Sequence, residues 1–162
     1  PFESVFRKNK ITSKLYDFYI RKIISAYTVN NIVKNSASLV KDSVTVIRNA
    51  TLYDSKSNNG NFSIKIDNVI FWIKVKQGLH IGDIEIIGEG DFSNAFIKLK
   101  KKAFLLGIRT ITIQASPNTF ITEIFKEIPC RTFDSWSICY KNFSSSFPLE
   151  RLRLTYGDID SF

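Results

Sequence analysis

Between Gly82 and Cys130 the hydrophobic period of the chain switches back and forth, and this constrains the fold more than any other feature. GDIEII has the β-branched density of a strand, GEGD is a turn, and the lysine-rich run after it repeats apolar residues every three to four positions. GIRTITIQ is a second strand, SPNT a second turn, and FITEIFKEIPC a second helix. In a strand–turn–helix–strand–helix unit of this kind, a ligand site lies at the strand-to-helix turn, where helix amides face outward.

The parts of the unit are well marked. Asp91 or Ser93 is placed to cap a helix ending at Leu106, with Ala95 or Phe96, then Leu99, Ala103 and Leu106 as the buried stripe. Lys98, Lys100, Lys101 and Lys102 fall mainly outside that stripe, and Gly107 suits the left-handed stop. Arg109–Gln114 reads as a strand with Ile111 and Ile113 on one face and Thr110 and Thr112 on the other. The helix after Ser116-Pro117-Asn118 has the stripe Phe120, Ile121, Ile124, Phe125 and Ile128, and Pro129 ends it. In the strand before the turn, strict alternation puts Asp83 and Glu85 on one face with Ile81 and Ile87, and His80, Ile84 and Ile86 on the other. Two carboxylates on one face could supply a general base for an amine; the plainer reading is a solvated face that pairs with lysines.

Upstream, Leu15, Tyr19 and Ile23, widened by Phe18, Ile24 and Tyr27, predict a helix capped by Thr12 or Ser13. A shorter helix is expected over Asn30–Lys41. Val44, Val46 and Ile47 suggest a strand continuing through Thr51–Tyr53, and Asp54–Asn61 a loop. Asn61–Ile66, an Asp67-Asn68 turn, Val69–Lys76, a Gln77-Gly78 turn and His80–Ile87 predict three antiparallel strands. Downstream, Arg131–Tyr140 and Leu149–Tyr156 read as strands separated by Ser144-Ser145-Ser146 and Pro148, ahead of an acidic tail.

The length of 162 residues fits one domain over residues 1–162, with 1–10 as an extended arm. Seven glycines and four prolines argue against long disordered segments, and no apolar run approaches the roughly 18 residues of a membrane span. Pro1–Lys10 is polar, so no signal peptide is expected and the location read from the sequence is cytoplasmic. The formal charge of +8 favours anionic partners, although a solvated surface explains it as simply. Cys130 and Cys139 form no CxxC, and one histidine leaves no zinc constellation. His80 lies some fifty residues from either thiol, which sets aside a cysteine nucleophile.

From Gly82 to Tyr140 the order and spacing resemble the core of the GCN5-related N-acetyltransferases (GNAT), and the preceding elements follow that family's order loosely. The resemblance implies an α+β, αβα-layered fold with a mixed, mostly antiparallel central sheet flanked by helices. The family's signature is glutamine or arginine, two residues, glycine, one residue, then glycine or alanine. It falls here on Ile87-Gly88-Glu89-Gly90-Asp91-Phe92, so Gly90 matches while Ile87 and Phe92 depart. By resemblance, Ile86, Ile87, Gly88, Gly90, Phe92 and Asn118 would line acetyl-CoA, and Glu85 or Asp83 would take the proton of an amine acceptor. Phe92 is expected to crowd a diphosphate, Glu89 and Asp91 to repel it, and Phe125 stands where many members carry a tyrosine that protonates the CoA thiolate. Two functions follow: an N-acyltransferase moving an acyl group from a CoA thioester to an amine, or a non-catalytic GNAT-fold binding module that has lost acetyl-CoA. The module would serve a protein partner, with nucleic acid a weaker fit and no membrane; a homodimer through an exposed C-terminal strand is compatible with either.

Overall fold

The computed structural model describes residues 5–6, 8–29, 33, 36, 43–46, 49–57, 60–135 and 149–158. Three strands, β1 (Asn61–Ile66), β2 (Val69–Val75) and β3 (Leu79–Ile86), form an antiparallel meander, and β4 (Ile111–Ile113) joins β3 in parallel, giving the order β1-β2-β3-β4. Asp67-Asn68 makes the two-residue turn between paired Ile66 and Val69, with Asp67 at φ 52°. A crossover through α3 (Phe92–Leu105) connects β3 to β4, as a parallel pair requires.

Every residue of β2 is buried, so both faces of the sheet must be covered. On one face Val69, Phe71, Ile73 and Val75 pack with Ile64, Ile81 and Ile84. This layer meets Tyr16, Ile20 and Ile24 of α1 (Lys10–Ser25), Phe92, Ala95, Phe96, Leu99 and Ala103 of α3, and Ile121 of α4 (Phe120–Lys126). On the other face Ile70 and Trp72 are covered by Val33, Val29, Tyr156 and Tyr53, the last from α2 (Ala50–Ser57). The Trp72 and Tyr53 rings lie 4.5 Å apart. The chain is thus a mixed α+β structure with a four-stranded mixed sheet.

Local capping and stop signals set the ends of α3 and the start of α4. Asp91 caps α3, its side chain accepting from the Asn94 amide at 2.9 Å, and Gly107 follows the helix at φ 70°. Thr119 and Thr122 form a reciprocal capping box at the start of α4.

Several expectations are corrected. The buried face of α1 is Tyr16, Ile20 and Ile24, one residue on from the predicted stripe, which leaves Leu15, Phe18 and Tyr19 exposed. The Tyr16 hydroxyl donates to the Leu106 carbonyl at 2.7 Å, and that buried bond selects the rotation. The helix also begins earlier, with Asn9 rather than Thr12 or Ser13 as its cap. The expected strand through Thr51–Tyr53 is instead helix α2. Asn49 accepts the Leu52 amide as an N-cap does, and Tyr53 docks on Trp72. Within the helix expected over Asn30–Lys41, Ser36 forms an antiparallel bridge with Glu85, and most of the rest lies outside the described residues. Residues 131–135 are exposed and not a strand, and residues 136–148, with the serine loop and Cys139, lie outside the described set. Leu149–Arg151 and Tyr156–Asp158 are 3₁₀ turns joined by isolated bridges, Val44 to Leu152 and Ala115 to Thr155, in place of one continuous strand.

The correction with the largest consequence is in β3. Trp72 pairs with Asp83 and Ile73 with Ile81, so Gly82 is an extra residue, a β-bulge. One extra residue reverses the alternation. Asp83 and Glu85 therefore share a face with His80, cross-strand from Trp72, Ile70 and Lys74, and Ile81 and Ile84 share the opposite, helix-covered face.

The bulge is closed by Gly157, where an added Cβ would lie 2.7 Å from Trp72 Cε3 and 3.0 Å from the Gly82 carbonyl oxygen. Gly157→Ala is expected to destabilise the fold by about 1–3 kcal/mol through overpacking, read from the urea midpoint; an unchanged midpoint would show that the C-terminal turn does not seat on the sheet.

Candidate functional site

The strand-to-helix turn is built mainly from internal contacts. The Ile87 amide donates to the Asn68 carbonyl at 2.8 Å, which docks the turn against the β1–β2 hairpin. A Cβ on Gly90 would lie 3.0 Å from that same Asn68 oxygen and from Ile86 Cγ2, so glycine is required there by packing. Lys98 reinforces the docking through both carboxylate oxygens of Asp67, each at 2.8 Å. Gly88, by contrast, stands at φ 58° with open space around it, and Glu89 beside it is exposed. The Asp91 carboxylate already occupies the Asn94 amide, one of the donors a bound anion would use.

Phe92 does not crowd the turn. Its ring is buried among Phe71, Phe96 and Phe125 at centroid distances of 6.2, 5.6 and 5.3 Å, with the Phe125 contact edge-on. Phe125 meets Phe96 at 5.3 Å in the same manner. Phe92 at the turn and Phe125 in α4 thus belong to one aromatic cluster that joins α3 to α4. Asn118 is an exposed turn residue at φ 59°, a conformation asparagine tolerates, directly ahead of the Thr119 cap.

Asp83 and Glu85 are not a solvated face. Asp83 is 0% and Glu85 8% exposed, in a polar layer with Lys74, Lys56, Asn61 and Ser36 on the sheet's second face. Asp83 Oδ1 accepts from the Ile84 amide at 2.8 Å, and Glu85 pairs with Ser36. Both signs of charge share this layer, which is how buried ions are tolerated. Burial pushes the Lys74 ammonium below the ordinary 10.5, helped by the charges of Lys76 and Lys56.

A different geometry lies at the edge of β4. The parallel pairing covers only Leu79–Ile111, His80–Thr112 and Ile81–Ile113. Beyond it β3 runs on to Ile86, while Gln114, Ala115 and Ser116 pair instead with the segment from Leu154 to Tyr156. The two strands part at this point and form a notch. Beside it is a cavity of about 150 Å³ lined by His80, Thr112, Ile113, Gln114 and Tyr156. The His80 and Tyr156 rings are 5.3 Å apart. Of these residues only His80 stands out in the sequence as a chemical group. Thr112, Gln114 and Tyr156 carry no local signal, because the bulge, the β3–β4 register and the C-terminal turn bring them together.

Cys130 is an exposed free thiol. No helix among the described residues is long and apolar enough to cross a membrane, and no three His, Cys, Asp or Glu side chains among them converge as a metal site. Compared with known proteins, the chain matches no family model, no curated protein and no solved structure.

Because Lys74 has a lower pKa folded than unfolded, the unfolded state binds more protons between the two values. The sign is fixed: in that window stability rises with pH. Urea unfolding is expected to show a more positive slope of stability against pH in the native chain than in Lys74→Arg, by at most about 1.4 kcal/mol per pH unit, the limit for one proton. Equal slopes would mean that Lys74 is not perturbed by folding.

Proposed function

We propose that this chain is a divergent acyltransferase of the GNAT kind, moving an acyl group from a CoA thioester to an amine. The observation that carries the reading is the parting of β3 and β4 after Ile81 and Ile113, next to a glycine turn that opens helix α3. Past the parting, β3 is bridged at Glu85 by Ser36 and the chain after β4 pairs with residues 154–156. A pantetheine arm and its thioester carbonyl would thus meet backbone groups only at the mouth of the notch, between these pairings. The meander, crossover helix, parallel strand and following helix come in the order that the resemblance calls for.

On this reading Gly88 and Glu89, the open part of the turn, border the cofactor, with Ile86 and Ile87 offering backbone. Gly90, Phe92 and Asn118 shape the turns from within. Asp83 and Glu85 contribute charge to the polar layer behind the sheet, and the group that takes the amine's proton belongs at the notch itself.

The second reading is a GNAT-fold binding module without cofactor. It is favoured by the Asp91 carboxylate on the helix amides and by the Phe92–Phe125 contact, which occupies space between α3 and α4.

Thermal unfolding separates the two. A ligand that binds only the folded state at 100 times its Kd adds about 2.7 kcal/mol, which for a chain of this size raises Tm by roughly 5–10 °C. Acetyl-CoA and CoA at millimolar concentration are expected to give this rise and ATP is not. Identical melting with and without the CoA compounds would leave the module as the account.

A further inference from the structure

We propose that the cavity beside the notch is an acceptor site for a compact primary amine with an apolar body, and that Thr112 and His80 carry the amine's proton away. The reaction rests on the acyltransferase reading; the ligand class comes from the cavity's own chemistry.

Consider first the histidine. His80 Nε2 lies 2.8 Å from the Lys76 carbonyl oxygen, which can only accept, so Nε2 bears the hydrogen. In the neutral ring Nδ1 then holds a lone pair, and it lies 3.1 Å from Thr112 Oγ1. The hydroxyl therefore donates to the ring and keeps its own lone pairs for another donor. Hydroxyl, imidazole and an orienting carbonyl stand in the order that activates a hydroxyl or relays a proton. The register that pairs His80 with Thr112 across β3 and β4 sets this geometry.

Gln114 follows two residues on, just past the end of β4, and also lines the cavity. Its Nε2 donates to Ser135 Oγ at 3.1 Å, while its buried Oε1 meets no donor among the described residues. With that oxygen buried beneath the cavity surface, Thr112 Oγ1 is the acceptor that an amine N–H can reach. The remaining walls, Ile113 and the Tyr156 ring, are apolar. A volume of about 150 Å³ suits a body about the size of benzene.

The step balances. The amine nitrogen bonds to the thioester carbonyl carbon. Its proton moves to Thr112 Oγ1 as the hydroxyl proton passes to His80 Nδ1. The C–S bond then breaks, and the proton held on the imidazole returns to the departing thiolate, leaving an amide and a free thiol. Thr112 touches the substrate; His80 acts through it and is a positioning and relay residue.

His80 is the sole histidine in the sequence, so its ring C–H resonances are unique in an NMR spectrum. Benzylamine titrated into the full chain is expected to shift them saturably, and Thr112→Val to weaken that binding about tenfold. In acetyl transfer to benzylamine, Thr112→Val is expected to lower kcat about 10²–10⁴-fold, the range for general acid–base groups, with KM for acetyl-CoA unchanged. Thr112→Ser should restore turnover, and added imidazole should partly rescue His80→Ala. Unshifted His80 signals at about 10 mM benzylamine, which saturates even a millimolar site, overturn the amine site whether or not acetyl-CoA binds. Saturable shifts without any transfer support the site and overturn the acyltransferase reading together with the relay. Transfer that is indifferent to Thr112→Val but lost in Glu85→Gln overturns the relay alone.

Discussion

Burial of β2 on both faces is the constraint from which the rest follows. Seven consecutive buried residues from Val69 to Val75 cannot be covered by one layer. Helices α1 and α3 shield Phe71 and Ile73, and that alone would leave Ile70 and Trp72 in water. Their cover comes from distant parts of the chain, Val33 and Tyr53 before the meander and Tyr156 far after it. Truncating a side chain such as Trp72 to alanine would cost about 3–5 kcal/mol, which is the scale of the burial that this cover protects. The same cover brings Tyr156 beside His80. Core packing and the proposed amine cavity thus share a wall.

The bulge at Gly82 links that packing to chemistry. Without it, strict alternation from His80 would send Asp83 and Glu85 to the helix-covered face, against the apolar side chains of α3. With it, both carboxylates enter the layer that holds Lys74 and Lys56, and the isoleucines on either side of the bulge remain in the core. Glycine at the bulge also leaves its carbonyl open to the close approach of Gly157. One inserted residue therefore decides which face is polar and where the C-terminal turn lands.

What could be read from the sequence was what local forces decide. The hairpin at Asp67-Asn68, the stripe of α3, its Asp91 cap and the Gly107 stop depend on residues a few positions apart. Features settled by partners far along the chain could not be read in this way. The rotation of α1 hangs on a bond from Tyr16 to Leu106, ninety residues on. Helix α2 replaces a plausible β-branched strand because Tyr53 finds Trp72. At the candidate site the glycine turn itself was legible, while the Asn68 contacts that tie it down belong to another hairpin. The His80–Thr112 pair joins residues 32 apart through a three-residue parallel register, and no spacing rule announces it.

These contacts shift the chemical centre of gravity of the unit. In the signature turn the amides, the small residues and nearby lysines would serve a diphosphate together. Here Gly90 is used to pack on Asn68, and Asp91 to cap its own helix. Three of the four lysines in the α3 run are likewise engaged: Lys98 with Asp67, Lys100 over the Phe96 ring at 5.4 Å and Lys102 over Tyr27 at 3.4 Å. Cation–π contacts of this kind hold each ammonium beside its ring. The run is therefore better placed as a belt around the aromatic core than as a clamp on phosphates. On the acyltransferase reading, affinity for a CoA thioester would have to come from the open stretch at Gly88 and the mouth of the notch beside the proposed acceptor cavity, and the helix start would have a structural role.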